Sequence, residues 1–363
     1  MRAAFFSRRT VAPLDFLARR TELAPELGWV LRRAFAANDA ARPPDFDAAK
    51  AVACALRLDL ASRIAARHSA SELARELGEA PSFRLREQRI ATIAREATLE
   101  RALDLVLEHA RASDLACIPL KYSALSRMGA LRAGARTASD VDVLVPEPSL
   151  HRFGETLLQR GYDRTGTGHS PHELALRDPN GVLVELHSHL PGVSLGATAA
   201  NVRAEDLISN ELARASAGVL LPDAAIVAAH VLVHGFVQHA RAPHAYSPLK
   251  VFADLADLEA LGHRDLERAA RFTTAALAPE DVLAALAVTR ALGRGDLNEA
   301  QRGRGGALLR HALASQLDAR YALFLRLRGL VFPGLTPLDL SSAHALRAVR
   351  ELWLRARASR RNA

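Results

Sequence analysis

"SDVDVLVPEP", residues 139–148, places two aspartates one residue apart inside an apolar run. Residues two apart on a β-strand point to the same side. Asp140 and Asp142 therefore share one face, and Val141, Val143 and Val145 face a core on the other. A buried carboxylate is costly unless its charge is compensated. Two on one face repel, and a divalent cation beside them relieves the repulsion. Mg²⁺, or Mn²⁺ in its place, takes oxygen ligands, commonly one or two carboxylates plus phosphate oxygens.

The flanks extend this pattern. "LACIPL" (115–120) reads as a short strand, "KYSALSRMGALRAG" as a helix ending at a glycine, and "EPSLHRFGETLLQRGY" as a helix ending at Gly161. "HELALRD" and "VLVELHSHL" are strands joined by "PNG", a hairpin turn signal. The order strand, helix, strand, helix, strand, strand predicts a small α/β sheet with an appended hairpin. In "VLVELH", Glu185 and His187 share a face, so Glu185 supplies a third carboxylate if its strand lies beside the first. That carboxylate either completes a metal site with Asp140 and Asp142 or acts as general base. Arg136 can reach back to a carboxylate or forward to a phosphate. Lys121 and Ser123 open a helix, where a positive charge and a hydroxyl suit phosphate.

"PLKYSAL", "RTASDVDVLV", "RGY" and "VLVELHSHL" resemble the uncharacterised nucleotidyltransferase family, within the DNA-polymerase-β-like superfamily. The matching positions are Leu120, Lys121, Arg136, Ser139, Asp140, Asp142, Gly161, Tyr162, Glu185 and His187. The resemblance implies an α+β fold, a small mixed β-sheet core flanked by helical regions, and metal-dependent transfer of a nucleoside monophosphate from a nucleoside triphosphate to an acceptor hydroxyl. Lys121, Ser123, Arg136 and Ser139 would bind the nucleotide. Asp140, Asp142 and Glu185 would hold the metal and carry catalysis. The acceptor stays open among small molecule, peptide, protein and RNA. One departure stands at Tyr122, where the family has glycine, because a ring adds bulk where backbone amides approach a triphosphate. A binding or scaffold protein on the same fold, or a metal-dependent phosphohydrolase using His187, are the alternatives.

Residues 1–112 and 201–363 read as helical regions flanking a nucleotidyltransferase-like core at 113–200. "SASELARELG" opens on a Ser-x-x-Glu cap and closes on Gly78. In "REQRIATIAREATLERALDLVLEHARA", Ile90, Ile93, Ala97, Leu103, Val106 and Leu107 can share one helix face. The resemblance reaches His234 and "LKVFADLADL" more weakly, making His234 a candidate substrate contact and Asp254 a candidate for the cleft wall. Lys250 and Asp254 are spaced for an ordinary helix ion pair. His230 and His234 lie four apart on a helix, His239 and His244 follow, and half-buried structural histidines are the expectation there. His169 and His172 precede the hairpin.

The net charge is +8, yet lysine occurs only at 50, 121 and 250, and arginine is spread along the chain. So dispersed a charge is a poor pointer to nucleic acid. No apolar run approaches the ~18 residues that a membrane span needs, and the arginine-bearing N-terminus lacks an apolar signal core. A cytoplasmic protein with two reduced thiols, Cys54 and Cys117, is expected.

Overall fold

A computed structural model of the 363-residue chain describes residues 23–36, 43, 45–165, 173–195, 201–239, 246–263, 265–274, 276–318, 321, 322 and 325. The expectations for His169, His172 and His244, and for the helical pattern beyond Leu325, lie outside the described residues.

Among the described residues five helices come first: Pro25–Phe35, Ala48–Arg57, Ala61–Arg67, Ala70–Leu77 and Glu79–Ala112. The fourth begins as its sequence predicts. Ser69 accepts from the backbone N–H of Glu72, and Glu72 caps Ser69 in return. Gly78 then ends it with φ +84°, a conformation that costs glycine little. The long helix keeps its expected face in one half only. Leu103, Val106 and Leu107 are buried as the spacing predicts, but Ile90 is 66% exposed and Ile93 39%, Ala97 is exposed too, and Leu85, Thr92 and Leu99 are buried instead. Only its C-terminal half packs on the sheet, so the apolar pattern upstream does not decide the buried face.

The central sheet has strand order β1-β2-β5-β4-β3, with β1 Ile118–Pro119, β2 Asp140–Leu144, β3 Asp163–Arg164, β4 Glu173–Arg177 and β5 Leu183–His187. The β2–β5 pairing is parallel and the other three are antiparallel. The fold is α+β, a mixed sheet flanked by helices. Val141, Val143, Val145, Val184 and Leu186 pack with Leu99, Leu103, Val106 and Phe153 on one face. That face holds the long helix and Leu150–Gln159, and it leaves the opposite face for polar residues.

A small sheet, β6 (His189–Pro191) with β7 (Asn201–Arg203), leads into a short helix, Ala204–Ser209. The expected run of helices after residue 203 is then interrupted by a second small sheet, β8 (Ala213–Ser216) with β9 (Val219–Pro222). Ala217 and Gly218, at φ +47° and +78°, make the second hairpin's turn. Two left-handed residues are what a turn matching strand twist requires. Helices then follow at Ala224–Val233, Leu249–Ala260, Pro279–Gly293 and Gly303–Leu317, with a π-helical turn at His234–Gln238.

Helices from both ends of the chain share the larger core, from Trp29, Val52 and Ile64 to Phe252, Leu286 and Leu309. A buried ion pair crosses it. Arg63 donates to both oxygens of Asp257, at 2.7 and 2.8 Å, and through Nε to the Ala34 carbonyl at 2.9 Å. Asp257→Asn strands the Arg63 guanidinium, which is 3% exposed. Loss of one partner of a buried pair costs about 3–5 kcal/mol. Urea unfolding is expected to show that loss, and a smaller one for Arg63→Met combined with Asp257→Leu. Unchanged stability in Asp257→Asn would show that the pair does not join the two ends of the chain.

Candidate active site

The polar face of the sheet is the floor of a cleft of about 720 Å³, within the size range of ligand pockets. Three stretches line it: Asp59 and Gln88 from the N-terminal helical region, Lys121, Tyr122, residues 136–140, Asp142, Glu185 and His187 from the sheet region, and Pro191, His230, His234, Gln238, His239, Tyr246 and Lys250 beyond.

The register of β2 on β5 builds the centre. Asp142 lies opposite Glu185 across the parallel pair, and Leu144 opposite His187. One ligand atom each from Asp142, Glu185 and His187 lies within 4.8 Å of the others. Asp140 stands beside this group on the same face and lines the cleft, so the convergent set contains His187 where the sequence suggested Asp140.

Lys121 compensates the charge. Its Nζ lies 2.7 Å from Asp142 Oδ1, and His187 Nε2 is 3.0 Å from that same oxygen. Asp142 Oδ2 has no hydrogen bond among the described residues. Burial alone would raise the Asp142 pKa, but the Lys121 ammonium and His187 hold it well below the ordinary carboxylate value. For Asp140, burial and the Asp142 charge together push the pKa up. Two neighbouring carboxylates are thus driven apart. The donor set suits a divalent ion: two carboxylates and an imidazole, with an unbonded oxygen on Asp142 and Asp140 alongside. Lys121 already supplies one positive charge to the same cluster, a feature the sequence pattern does not reveal.

Lys121 itself has φ +46°, a left-handed conformation that costs a side-chain-bearing residue about 1–2 kcal/mol. The strained backbone is therefore at position 121 and not at 122, where the family has glycine. Tyr122 sits inside the short helix Lys121–Arg127, 4% exposed. Its ring packs in the core beneath the sheet, 5.9 Å from the Arg136 guanidinium.

The remaining predicted residues are placed as follows. Ser139 lines the cleft and donates to Asp140 Oδ1 at 3.1 Å. Arg136 borders the cleft with its fork spent on Asp254, at 2.6 and 3.0 Å. Ser123 is 1% exposed, its hydroxyl sealed from solvent, and is not among the lining residues. His234 is in the wall, 8% exposed. Asp254, the candidate wall residue, is fully buried behind Arg136. The spacing-allowed Lys250–Asp254 pair gives way to Lys250 on Asp59, at 2.5 Å. Asp59 also accepts from Thr137 at 2.7 Å. The sequence reading missed Asp59, Thr137, Gln238, His239, Tyr246 and Lys250. A histidine-rich run signals part of this wall, whereas nothing local marks Asp59.

A family model of uncharacterised nucleotidyltransferases matches residues 44–286. The match includes the sheet, the cleft and the helices on both sides. This chain belongs to the uncharacterised nucleotidyltransferase family. No curated protein and no solved structure matches it.

The opposed carboxylates give a test of the site's energetics. At pH 7 with chelator, Asp142→Asn strands Lys121 and is expected to lose about 3–5 kcal/mol. Asp140→Asn removes a repelled charge and is expected to lose none. A folded-state pKa below the unfolded one stabilises at higher pH. The Asp142 contribution is thus complete above about pH 4, near the unfolded carboxylate value, and fades as pH falls below it. Urea titrations of both variants from pH 3 to 7 check the sign, and equal losses at pH 7 would contradict it.

Proposed function

We propose that this cleft transfers a nucleoside monophosphate from a nucleoside triphosphate to an acceptor hydroxyl. The observation that carries the reading is the Asp142–Glu185 register, which sets two carboxylates side by side with Asp140 and His187 at hand. Charge supports it further. The cations lining the cleft are already matched: Lys121 with Asp142, Arg136 with Asp254, Lys250 with Asp59. A triphosphate brings several negative charges to a floor that holds Asp140, Asp142 and Glu185, so binding requires added cations. A Mg²⁺ or Mn²⁺ ion on Asp142, Glu185 and His187, with Asp140 beside it, would neutralise phosphate charge and lower the pKa of the attacking hydroxyl.

In the proposed reaction the acceptor oxygen attacks the α-phosphorus. A new P–O bond forms as the bond from the α-phosphorus to the α,β-bridging oxygen breaks. Pyrophosphate leaves with the electron pair, and the hydroxyl proton passes to Glu185. Lys121 keeps Asp142 ionised and lies near the developing charge. Ser139 orients Asp140. Arg136 holds the segment leading into β2. Catalysis of this kind rests on positioning and charge stabilisation. The Lys121–Asp142 pair also favours a second reading, a non-catalytic nucleotide-fold protein in which the ammonium takes the cation's place.

Calorimetry with each nucleoside triphosphate is expected to give binding with Mg²⁺ or Mn²⁺ and none with chelator. α-Labelled triphosphate is expected to label an acceptor from cell extract. Asp140→Asn, Asp142→Asn and Glu185→Gln should each lower that transfer by about 100-fold or more. Absence of binding at millimolar ligand would favour the non-catalytic reading. Free phosphate released without an acceptor would favour a phosphohydrolase.

A further inference from the structure

The wall facing the carboxylates has a chemistry of its own. The π-helical turn His234–Gln238 widens the helix so that His239 closes over His234, ring centroids 4.3 Å apart. Such wide turns recur at functional sites. The Tyr246 ring stacks on His239 at 5.2 Å and meets His234 edge-on at 4.9 Å. Gly235 permits this closeness, since a Cβ there would lie 2.2 Å from Val251 Cγ2 and 3.2 Å from the Tyr246 ring.

The orientation of His234 is set by its neighbours. Gln238 Nε2 donates to the Pro191 carbonyl at 3.0 Å. Its Oε1 is thereby left to accept from His234 Nδ1 at 2.9 Å. The proton is then on Nδ1, and Nε2 presents a lone pair. His230, 4% exposed, lines the cleft with no hydrogen bond to its ring among the described residues. The same holds for the partly exposed His239. All three imidazoles are neutral. Burial first, then the Lys121 charge, lowers His230 to about 3 and His239 to about 4, and moves His234 well below its ordinary value. Among the described residues the carboxylate nearest this wall is Asp59, engaged by Lys250 and Thr137, and Lys250, the cation of this side, is spent on that pair.

We propose that His230, His234 and His239, with Tyr246 behind them, form the acceptor subsite, and that the acceptor is an uncharged hydroxyl-bearing molecule of sugar or polyol chemistry. The assignment of the bound molecule as acceptor rests on the nucleotidyl-transfer reading above. A neutral imidazole offers one donor and one acceptor, and so does a hydroxyl group. A row of such rings fits a row of hydroxyls. A cationic acceptor finds on this side only Asp59, already engaged by Lys250 and Thr137, and meets Lys121 nearby. An anionic one finds no uncommitted cation. The stacked His239–Tyr246 pair adds an aromatic surface for the less polar face of a ring.

The test is saturation-transfer NMR on the full chain with Mg²⁺ and α,β-methylene-ATP. The ligands are glucose, galactose, N-acetylglucosamine and myo-inositol, against glucosamine and glucose 6-phosphate as charged counterparts. Transfer to at least one neutral member and weaker transfer to the charged ones is expected. His230→Phe and His239→Phe should each weaken that binding about tenfold, the loss of one to two hydrogen bonds. Cooperative unfolding marks each variant as folded, and His239, the more exposed, serves if the buried variant fails. Transfer to no neutral member, preference for a charged one, or unchanged binding in the folded variants overturns the proposal. So does tight Zn²⁺ binding that His234→Phe abolishes, because the wall would then be a metal centre. Because the readout is binding and not turnover, sugar binding without binding of the nucleotide analogue would sink the transfer reading alone.

Discussion

Carboxylates on the inner face of a sheet must be compensated, and the region around the cleft is organised by that requirement. Asp142 is 2% exposed and bonded to an ammonium and an imidazole at the same oxygen. Lys121 adopts a left-handed backbone at the position from which its side chain makes that contact. Asp140, one pleat away, lacks such a partner and keeps its charge at a cost. One acid is thus stabilised by the fold and its neighbour is not, an asymmetry that the proposed cation would relieve.

The same logic extends outward along the helix Leu249–Ala260. Lys250, Asp254 and Asp257 each reach a different part of the chain: Asp59 after the second helix, Arg136 before β2, and Arg63 in the third helix. Three ion pairs thus tie this helix to the segments around the cleft. Buried pairs of this kind contribute little net stability relative to apolar packing, yet breaking one is costly. They therefore specify geometry more than they add stability. Here they fix the segment 136–139 that delivers Asp140 and Asp142. This explains why Arg136, a natural phosphate ligand by its chemistry, is engaged within the protein.

Much of the central layer was legible along the chain. Alternation in "SDVDVLV" separated the valine face from the aspartate face, and "PNG" predicted the β4–β5 hairpin, because both signals act over a few residues. The Ser69 capping box and Gly78 stop were equally local. The buried face of Glu79–Ala112 was legible only in its C-terminal half, at Leu103, Val106 and Leu107. Ile90 and Ile93 have the spacing of core residues, but the upstream half packs with another side on the short N-terminal helices. The β8–β9 hairpin was missed because "ARAS" offers only alanine at its apolar positions and "VLLP" lacks alternation.

By itself, then, the sequence determined the α+β class, the shared face of Asp140 and Asp142, the family motif, and Glu185 as their partner. Tertiary structure alone decided that His187 joins Asp142 and Glu185, that Lys121 rests on Asp142, and that Arg136 turns to Asp254. It also decided that three histidines and Tyr246 close the opposite wall. The reason is one of range. Strand periodicity and turn chemistry are properties of neighbours in sequence. The partner of a buried charge is whichever opposite charge the packing brings within about 3 Å, and Arg136 finds its partner 118 residues away.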